Sequence, residues 1–265
     1  MLLLSASGEA RPPDKTARIG LLDYGAPSPS SDARWNAFRV RLRELGYVEG
    51  RNVAFEVRWA SGRVDRLSGL AEELIESKVD VVVTVTTDVA VAVRRITSSV
   101  PIVTATGGDP VAAGLAASLA RPGGNVTGVT SLNRNLIGKR LELVKQLLPQ
   151  AARIAILQDP DNRATTLSAR EAARAAKPLG IAVPMMAPAR EYAEAGGLVS
   201  YGTDYPALFR QAAAYVDRIL HGAKPAELPI EQPVKFELVI NLKTIRALGL
   251  TIPPPVLGRA DEVIQ

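Results

Sequence analysis

A chain of 265 residues with 47% hydrophobic and 22% charged side chains can bury one large core or two small ones, which excludes an intrinsically disordered protein. Its 32 Lys and Arg against 27 acids give a net charge of +5, yet the basic residues are mixed with acids along helices instead of alternating with aromatics, which argues against a nucleic-acid surface. The sequence has no cysteine, so disulfides, thiolate metal sites, cysteine nucleophiles and a lipid-anchor cysteine drop out.

Met1 to Ser5 is apolar and Ala6 to Ala10 is small and polar. That is the pattern of the tail of a secretory leader whose start lies upstream, or of an unstructured extension. No apolar run reaches the roughly 18 residues that span a bilayer.

Arg18 to Tyr24 is a short apolar run stopped by Gly25, Pro27 and Pro29, as for a buried parallel strand. Trp35, Phe38, Leu42 and Leu45 then recur at helical spacing before Gly46. Asn52 to Trp59 alternates as a strand, Val64, Leu67, Leu70, Leu74 and Ile75 form a helical stripe, and Asp80 to Val85 is a β-branched strand buried on both faces. The alternation continues with a helix from Asp88 to Ile96, a strand from Pro101 to Thr106, a helix from Pro110 to Leu119 and a strand from Asn125 to Thr130. Such order predicts parallel strands joined by right-handed crossovers, an α/β doubly wound sheet.

A second series follows. It has a helix carrying Ile137, Leu141, Val144 and Leu147, a strand from Arg153 to Gln158, a helix to about Lys177 and a strand near Ile181 to Met186. A short strand from Gly196 to Tyr201, a helix from Pro206 to Leu220 and a strand from Phe236 to Asn241 complete it. The economical reading is two α/β lobes in tandem, with a hinge near Thr130 and a chain return near Tyr201.

Catalytic chemistry is thin. His221, the single histidine, falls at the end of an amphipathic helix, where it fits a helix cap better than a base. There is no GxGxxG after the first strand and no GxxxxGK[ST], and Pro122 to Asn125 reads as a turn feeding a strand. No catalytic residue, metal site or cofactor is therefore expected. The informative chemistry lies at the carboxyl ends of the strands, where open α/β sheets bind ligands. Four loops there carry small polar groups: Asp23 and Tyr24; Thr86, Thr87 and Asp88; Gly107 to Pro110; and Asp159 to Asn162. Thr87, Asp88 or Asp109 alone would serve equally as helix caps. Together, hydroxyls, carboxylates and helix N-terminal amides across a cleft suit a small zwitterionic solute.

Ala120 to Ser131 (ARPGGNVTGVTS), Glu194 to Gly202 (EAGGLVSYG), the long block from Ala212 to Pro254 and the ending RADEVIQ resemble the substrate-binding proteins of ABC transporters, in the branch that includes tryptophan- and tyrosine-uptake proteins. The resemblance runs from about Ala17 to the C-terminus. It implies a two-lobed, type I periplasmic binding fold, capture of a small solute between the lobes without turnover, delivery to a membrane permease, and a periplasmic address. It divides the chain into a first lobe at 17–130, a second lobe at 131–201 plus about 230–265, and a helix at 202–229 that returns to the first lobe. The ligand loops it implies fall on Tyr24, Thr86, Thr87, Asp109, Asp161, Asn162, Tyr192 and Tyr201.

The chain departs from this pattern after Met186. Pro188 meets Arg190, Glu191 and Tyr192 almost directly, where the family continues with further strand-helix units, so that roughly 50 residues are absent. The second lobe is expected to be incomplete and its solute binding weak. The rival readings are an enzymatic or ligand-sensing domain of the same fold, or a binding-defective remnant of the family. An enzyme wants a base or metal cluster, and a sensor of transcription wants about 50 residues of helix-turn-helix ahead of the first strand.

Overall fold

Apolar β-branched segments too short for helices lie at the centre of the protein, and helices with one greasy face close over them. The structure, a computed structural model, describes residues 16–131, 135–150, 153–155, 172, 176, 182–185, 193–194 and 196–265. The first lobe runs β1 (Ala17–Asp23), α1 (Pro29–Glu44), β2 (Val53–Trp59), α2 (Leu67–Glu76), β3 (Val81–Thr84), α3 (Thr87–Ile96), β4 (Ile102–Gly107) and β5 (Val126–Thr130). Its five strands form one sheet in the order β2-β1-β3-β4-β5, and every neighbouring pair is parallel. The expected doubly wound α/β sheet is therefore present.

Helices cover both faces. On one side α1 buries Trp35, Phe38 and Leu42 against Leu21, Val83 and Val103 of the sheet, and on the other α2 and α3 bury Leu70, Leu74, Val89 and Val93 against Leu22, Val82 and Ile102. Helix α1 starts where its sequence says it should. Ser28 caps it, with the Ser31 amide donating to Ser28 Oγ at 3.2 Å and the Ser28 amide donating to Ser31 Oγ at 2.8 Å, and Pro29 occupies the first turn. A further helix, α5 (Tyr205–Leu220), follows the second-lobe strand β8 (Val199–Thr203) in sequence yet packs beside α1. The Trp35 ring meets Phe209 of α5 edge-on at 4.8 Å and Phe38 at 5.8 Å. Truncating a side chain in this cluster, such as Phe38→Ala, costs about 3–5 kcal/mol.

Beyond β5 come α4 (Ile137–Leu147), β6 (Arg153–Ala155), β7 (Ala182–Met185), β8, β9 (Phe236–Asn241) and β10 (Glu262–Ile264). Strands β6 and β7 pair in parallel, while β9 lies between β8, to which it is antiparallel, and β10, to which it is parallel. Leu143 and Leu147 of α4 close over Leu238 and Ile240 of β9, with Ile245 and Val256 from the two short helices that follow.

The helix expected from Pro110 to Leu119 does not form. The Asp109 carboxylate accepts from the amides of Val111 and Ala112, one turn closes from Ala113 N to Asp109 O, and Gly114 then adopts φ +71°, which ends the turn. Strand β8 begins at Val199, three residues later than its apolar run, and β10 had no counterpart in the sequence reading. Of the helix expected before Lys177, Ala172 and Ala176 are described, both helical and buried with Ile137, Leu141 and Val144 of α4, while the Asp159 to Asn162 loop, Tyr192 and the apolar leader lie outside the described residues.

Candidate functional site

In the order β2-β1-β3-β4-β5 the chain winds one way from β1 to β2 and the other way from β3 onward, so a crevice opens beyond the carboxyl ends of β1 and β3. The segments that leave those ends are Asp23 to Gly25 and Val85 to Thr87, and the segment after β4 lies beside the second.

Asp23, at the end of β1, is only 4% exposed. Its carboxylate accepts from Trp35 Nε1 at 2.9 Å and from the Gly25 amide at 2.9 Å, so it fastens α1 to the sheet and has little left for a solute. Tyr24 lies half-buried against the α2–α3 side of the core and donates its hydroxyl to the Gly62 carbonyl at 2.7 Å. With Ala60, Ser61 and Gly62 donating to the carbonyls of Asp23, Gly25 and Tyr24, the loops after β1 and β2 form one ribbon.

Thr86 caps α3, its Oγ1 accepting from the Val89 amide at 3.4 Å. Thr87 reaches across instead, and the Gly108 amide donates to its Oγ1 at 2.7 Å. A Cβ on residue 108 would stand 3.2 Å from that oxygen, so glycine lets the two loops come together. Asp109, next in line, holds its own turn. Thr86, Thr87, Gly108 and Asp109 thus form one corner at the first turn of α3, whose amides favour an anionic group. Thr84, buried beneath this corner at the end of β3, has a hydroxyl with no hydrogen-bond partner.

Tyr201 sits elsewhere. It packs with Phe236, ring centroids 6.2 Å apart, and with the core between α4 and β9. Its carbonyl accepts from Nε of Arg140, a residue 5% exposed on α4. Burial pushes the Arg140 guanidinium down to about 10, against the opposing influence of Tyr205 and Tyr201. Asp161, Asn162 and Tyr192 lie outside the described residues.

A cavity of about 620 Å3 opens between the lobes near the start of α1. Ser28, Ser30 and Arg34 line it from the first lobe, Glu194 and Glu237 from the second, and Thr203 and Tyr205 from the connection between them. None of these side chains stands out in the sequence, because they come from four separated segments, 28–34, 194, 203–206 and 237, that only the fold brings together. Arg140 did leave a signal, a charge inside the apolar stripe of Ile137, Leu141 and Val144.

Among the described residues three segments are tied together at the end of the first sheet. Ser131 leaves β5 with its amide donating to the Gly107 carbonyl at 2.8 Å, Thr203 returns with its Oγ1 donating to the Ser131 carbonyl at 2.6 Å, and Glu231 runs beside β5, bonded to Gly128 and Thr130 through its backbone. Among the described residues no group of three or more His, Cys, Asp or Glu could hold a metal ion, and no helix is long and apolar enough to cross a membrane.

The family model described as ABC transporter substrate binding protein matches residues 27–183 and 181–264. The chain belongs to that family. The tyrosine-binding protein of Clostridioides difficile is 25% identical over 297 residues, covering 93% of this chain and 85% of the relative. Two solved structures superpose closely: a conserved domain protein from Vibrio cholerae (TM-score 0.86, 28% identity) and an ABC domain from Streptococcus pneumoniae in complex with L-Trp (TM-score 0.85, 26% identity). Each comparison covers 94% of this chain and all of the other. Members of this substrate-binding family take small solutes for ABC importers, and the α/β architecture found here is theirs.

Proposed function

We propose that this protein captures an amino acid, an aromatic one first among candidates, in the crevice between its lobes and hands it unchanged to an ABC permease outside the cytoplasmic membrane. The observation that carries the reading is the corner made by Thr86, Thr87, Gly108 and Asp109 at the sheet's switch point. Its hydroxyls and first-turn amides suit a carboxylate, and the carboxylate of Asp109 suits an ammonium. The relatives named for tyrosine and crystallised with L-Trp supply the class of side chain. The three passages at Ser131, Thr203 and Glu231 serve as the hinge, which divides the chain into a first lobe, a second lobe and the returning helix α5. Asp161, Asn162 and Tyr192 would add contacts from the second lobe.

A thermal-shift screen of the twenty amino acids, followed by calorimetry on those that raise the melting temperature, tests this reading, since a ligand that binds only the folded state stabilises it. Stabilisation by L-tyrosine or L-tryptophan and recovery of the same molecule after incubation support it. Chemical conversion of the bound solute overturns capture without turnover. Fractionation of cells expressing the locus with its upstream codons tests the address, and a wholly cytosolic product counts against it.

A further inference from the structure

The two lobes treat their third strand differently. In the first lobe β1 and β2 pair in parallel, and the next strand in the chain, β3, returns to the other side of β1 and becomes the centre of the sheet. In the second lobe β6 and β7 pair in parallel as β1 and β2 do. The next strand among the described residues, β8, does not pair with β6. It runs antiparallel to β9, and among the described residues the second lobe falls into a sheet of two strands and a sheet of three.

Length accounts for this. A parallel strand needs a crossover of about a dozen residues or more to reach its neighbour, and a second crossover to leave it. In the first lobe the stretch from the end of β2 at Trp59 to the start of β4 at Ile102 holds α2, β3 and α3, about 40 residues. From the end of β7 at Met185 to the start of β8 at Val199 there is room for one crossover and no central strand.

The relatives mark the same place. The family model matches in two pieces, 27–183 and 181–264, which meet at β7. The alignment with the tyrosine-binding protein extends over 297 positions, whereas 93% of this chain is about 246 residues, so the relative carries about 50 positions that this chain does not. That is one helix-strand-helix unit of the size seen between β2 and β4.

We infer that this chain lacks the central strand of its second sheet with the two helices flanking it, and that its solute crevice has lost the second-lobe loop equivalent to Val85–Thr87. The inference rests on the capture reading for its functional half and on strand order for its structural half. A solute is then held by the first-lobe corner with an opposing wall that is open at its centre. Binding sites for small molecules enclose most of the ligand surface, and opening one wall leaves bound solute in contact with water and free to depart. A two-stranded sheet such as the β6–β7 pair is marginal on its own.

The test compares the native chain with one carrying the extra segment of the tyrosine-binding relative between Pro188 and Arg190. Hydrogen exchange read by mass spectrometry reports on the fold without any ligand. Amides of β6 and β8 should exchange at least about a hundredfold faster than those of β3 and β4 in the native chain, and should slow once the segment is present. Calorimetry with L-tyrosine and L-tryptophan should show affinity at least about a hundredfold higher for the restored chain. Protection of β6 and β8 equal to that of β3 and β4 in the native chain overturns the inference, and this arm stands even if the restored chain fails to fold. Equal affinity in both chains overturns the open crevice and leaves the capture reading standing. A restored chain that protects β6 and β8 yet binds neither amino acid supports the missing strand and counts against an aromatic amino acid as the solute.

Discussion

Thr203 Oγ1 donates to the carbonyl of Ser131 at 2.6 Å, which ties the segment returning from the second lobe to the one leaving the first. Both residues are buried, and Ser131 is held in turn by the Gly107 carbonyl at the end of β4. Replacing Thr203 by Val keeps the shape and removes the donor, leaving a buried carbonyl unpaired. We expect Thr203→Val to cost about 1–3 kcal/mol in urea unfolding followed by the fluorescence of Trp35 and Trp59, and Thr203→Ser to recover most of it. A loss below about 0.5 kcal/mol would show that the carbonyl finds another partner.

Alkaline pH should unfold the first lobe through two tyrosines. Tyr47 donates to Asp217 Oδ1 at 3.2 Å, and Tyr215 donates to Glu231 Oε1 at 2.8 Å and to the Pro229 carbonyl. Burial raises the pKa of both above the usual phenol value, with the neighbouring carboxylates adding to it and Arg218 opposing at Tyr215. A group that holds its proton more tightly when folded contributes stability that is complete below its unfolded pKa near 10 and is lost as the pH rises through the folded value. The melting temperature should therefore fall above about pH 10, and absorbance at about 295 nm should show these two of the six tyrosines ionising only with unfolding. Tyr47→Phe together with Tyr215→Phe should flatten that fall. An unchanged slope in the double variant would assign it to other groups.

Much of this architecture is legible in the sequence because parallel strands buried on both faces are written as unbroken apolar runs. Asp80 to Val85 needs only that pattern. Pro110 to Leu119 carried equally apolar letters, but the Asp109 cap and Gly114 closed a single turn, and an amphipathic stripe does not distinguish one turn from three. The site divided in the same way. Thr86 and Thr87 stand out because they follow a strand, whereas the cavity-lining set of Arg34, Glu194 and Glu237 comes from segments about 40 to 200 residues apart, which no local pattern links. The Tyr24 hydroxyl bonds the Gly62 carbonyl and the Tyr201 ring packs with Phe236, partners that only the fold supplies.

Gly128 sets the spacing between β4 and β5. It adopts φ +124°, and a Cβ there would stand 2.3 Å from the Thr104 carbonyl oxygen and 2.6 Å from its nitrogen. Neither atom can yield, since both belong to the backbone of the neighbouring strand. Gly128→Ala should cost at least about 3 kcal/mol, the overpacking and the unfavourable φ acting together. Chemical unfolding of the purified variant checks it, and a loss under 1 kcal/mol would mean that the two strands shift apart without consequence.

Asp109 separates the two roles that its position allows. Its Oδ1 accepts from the amides of Val111 and Ala112 at 3.1 and 2.9 Å, work that an asparagine carbonyl oxygen does as well. What asparagine lacks is the charge. If the residue only caps its turn, Asp109→Asn should leave both stability and solute affinity unchanged, while Asp109→Ala should cost about 1 kcal/mol of stability. If the carboxylate also meets a solute ammonium, Asp109→Asn should keep stability within about 0.5 kcal/mol of the parent and still weaken L-tyrosine or L-tryptophan binding at least tenfold, about 1.4 kcal/mol. Binding is best read in the chain with the restored segment, where the crevice has both walls, and stability in the native chain. We expect the second pattern. Equal affinity of the Asn variant and its parent would reduce Asp109 to a cap and move the search for the ammonium partner to Glu194 and Glu237, the acids that line the cavity at the start of α1.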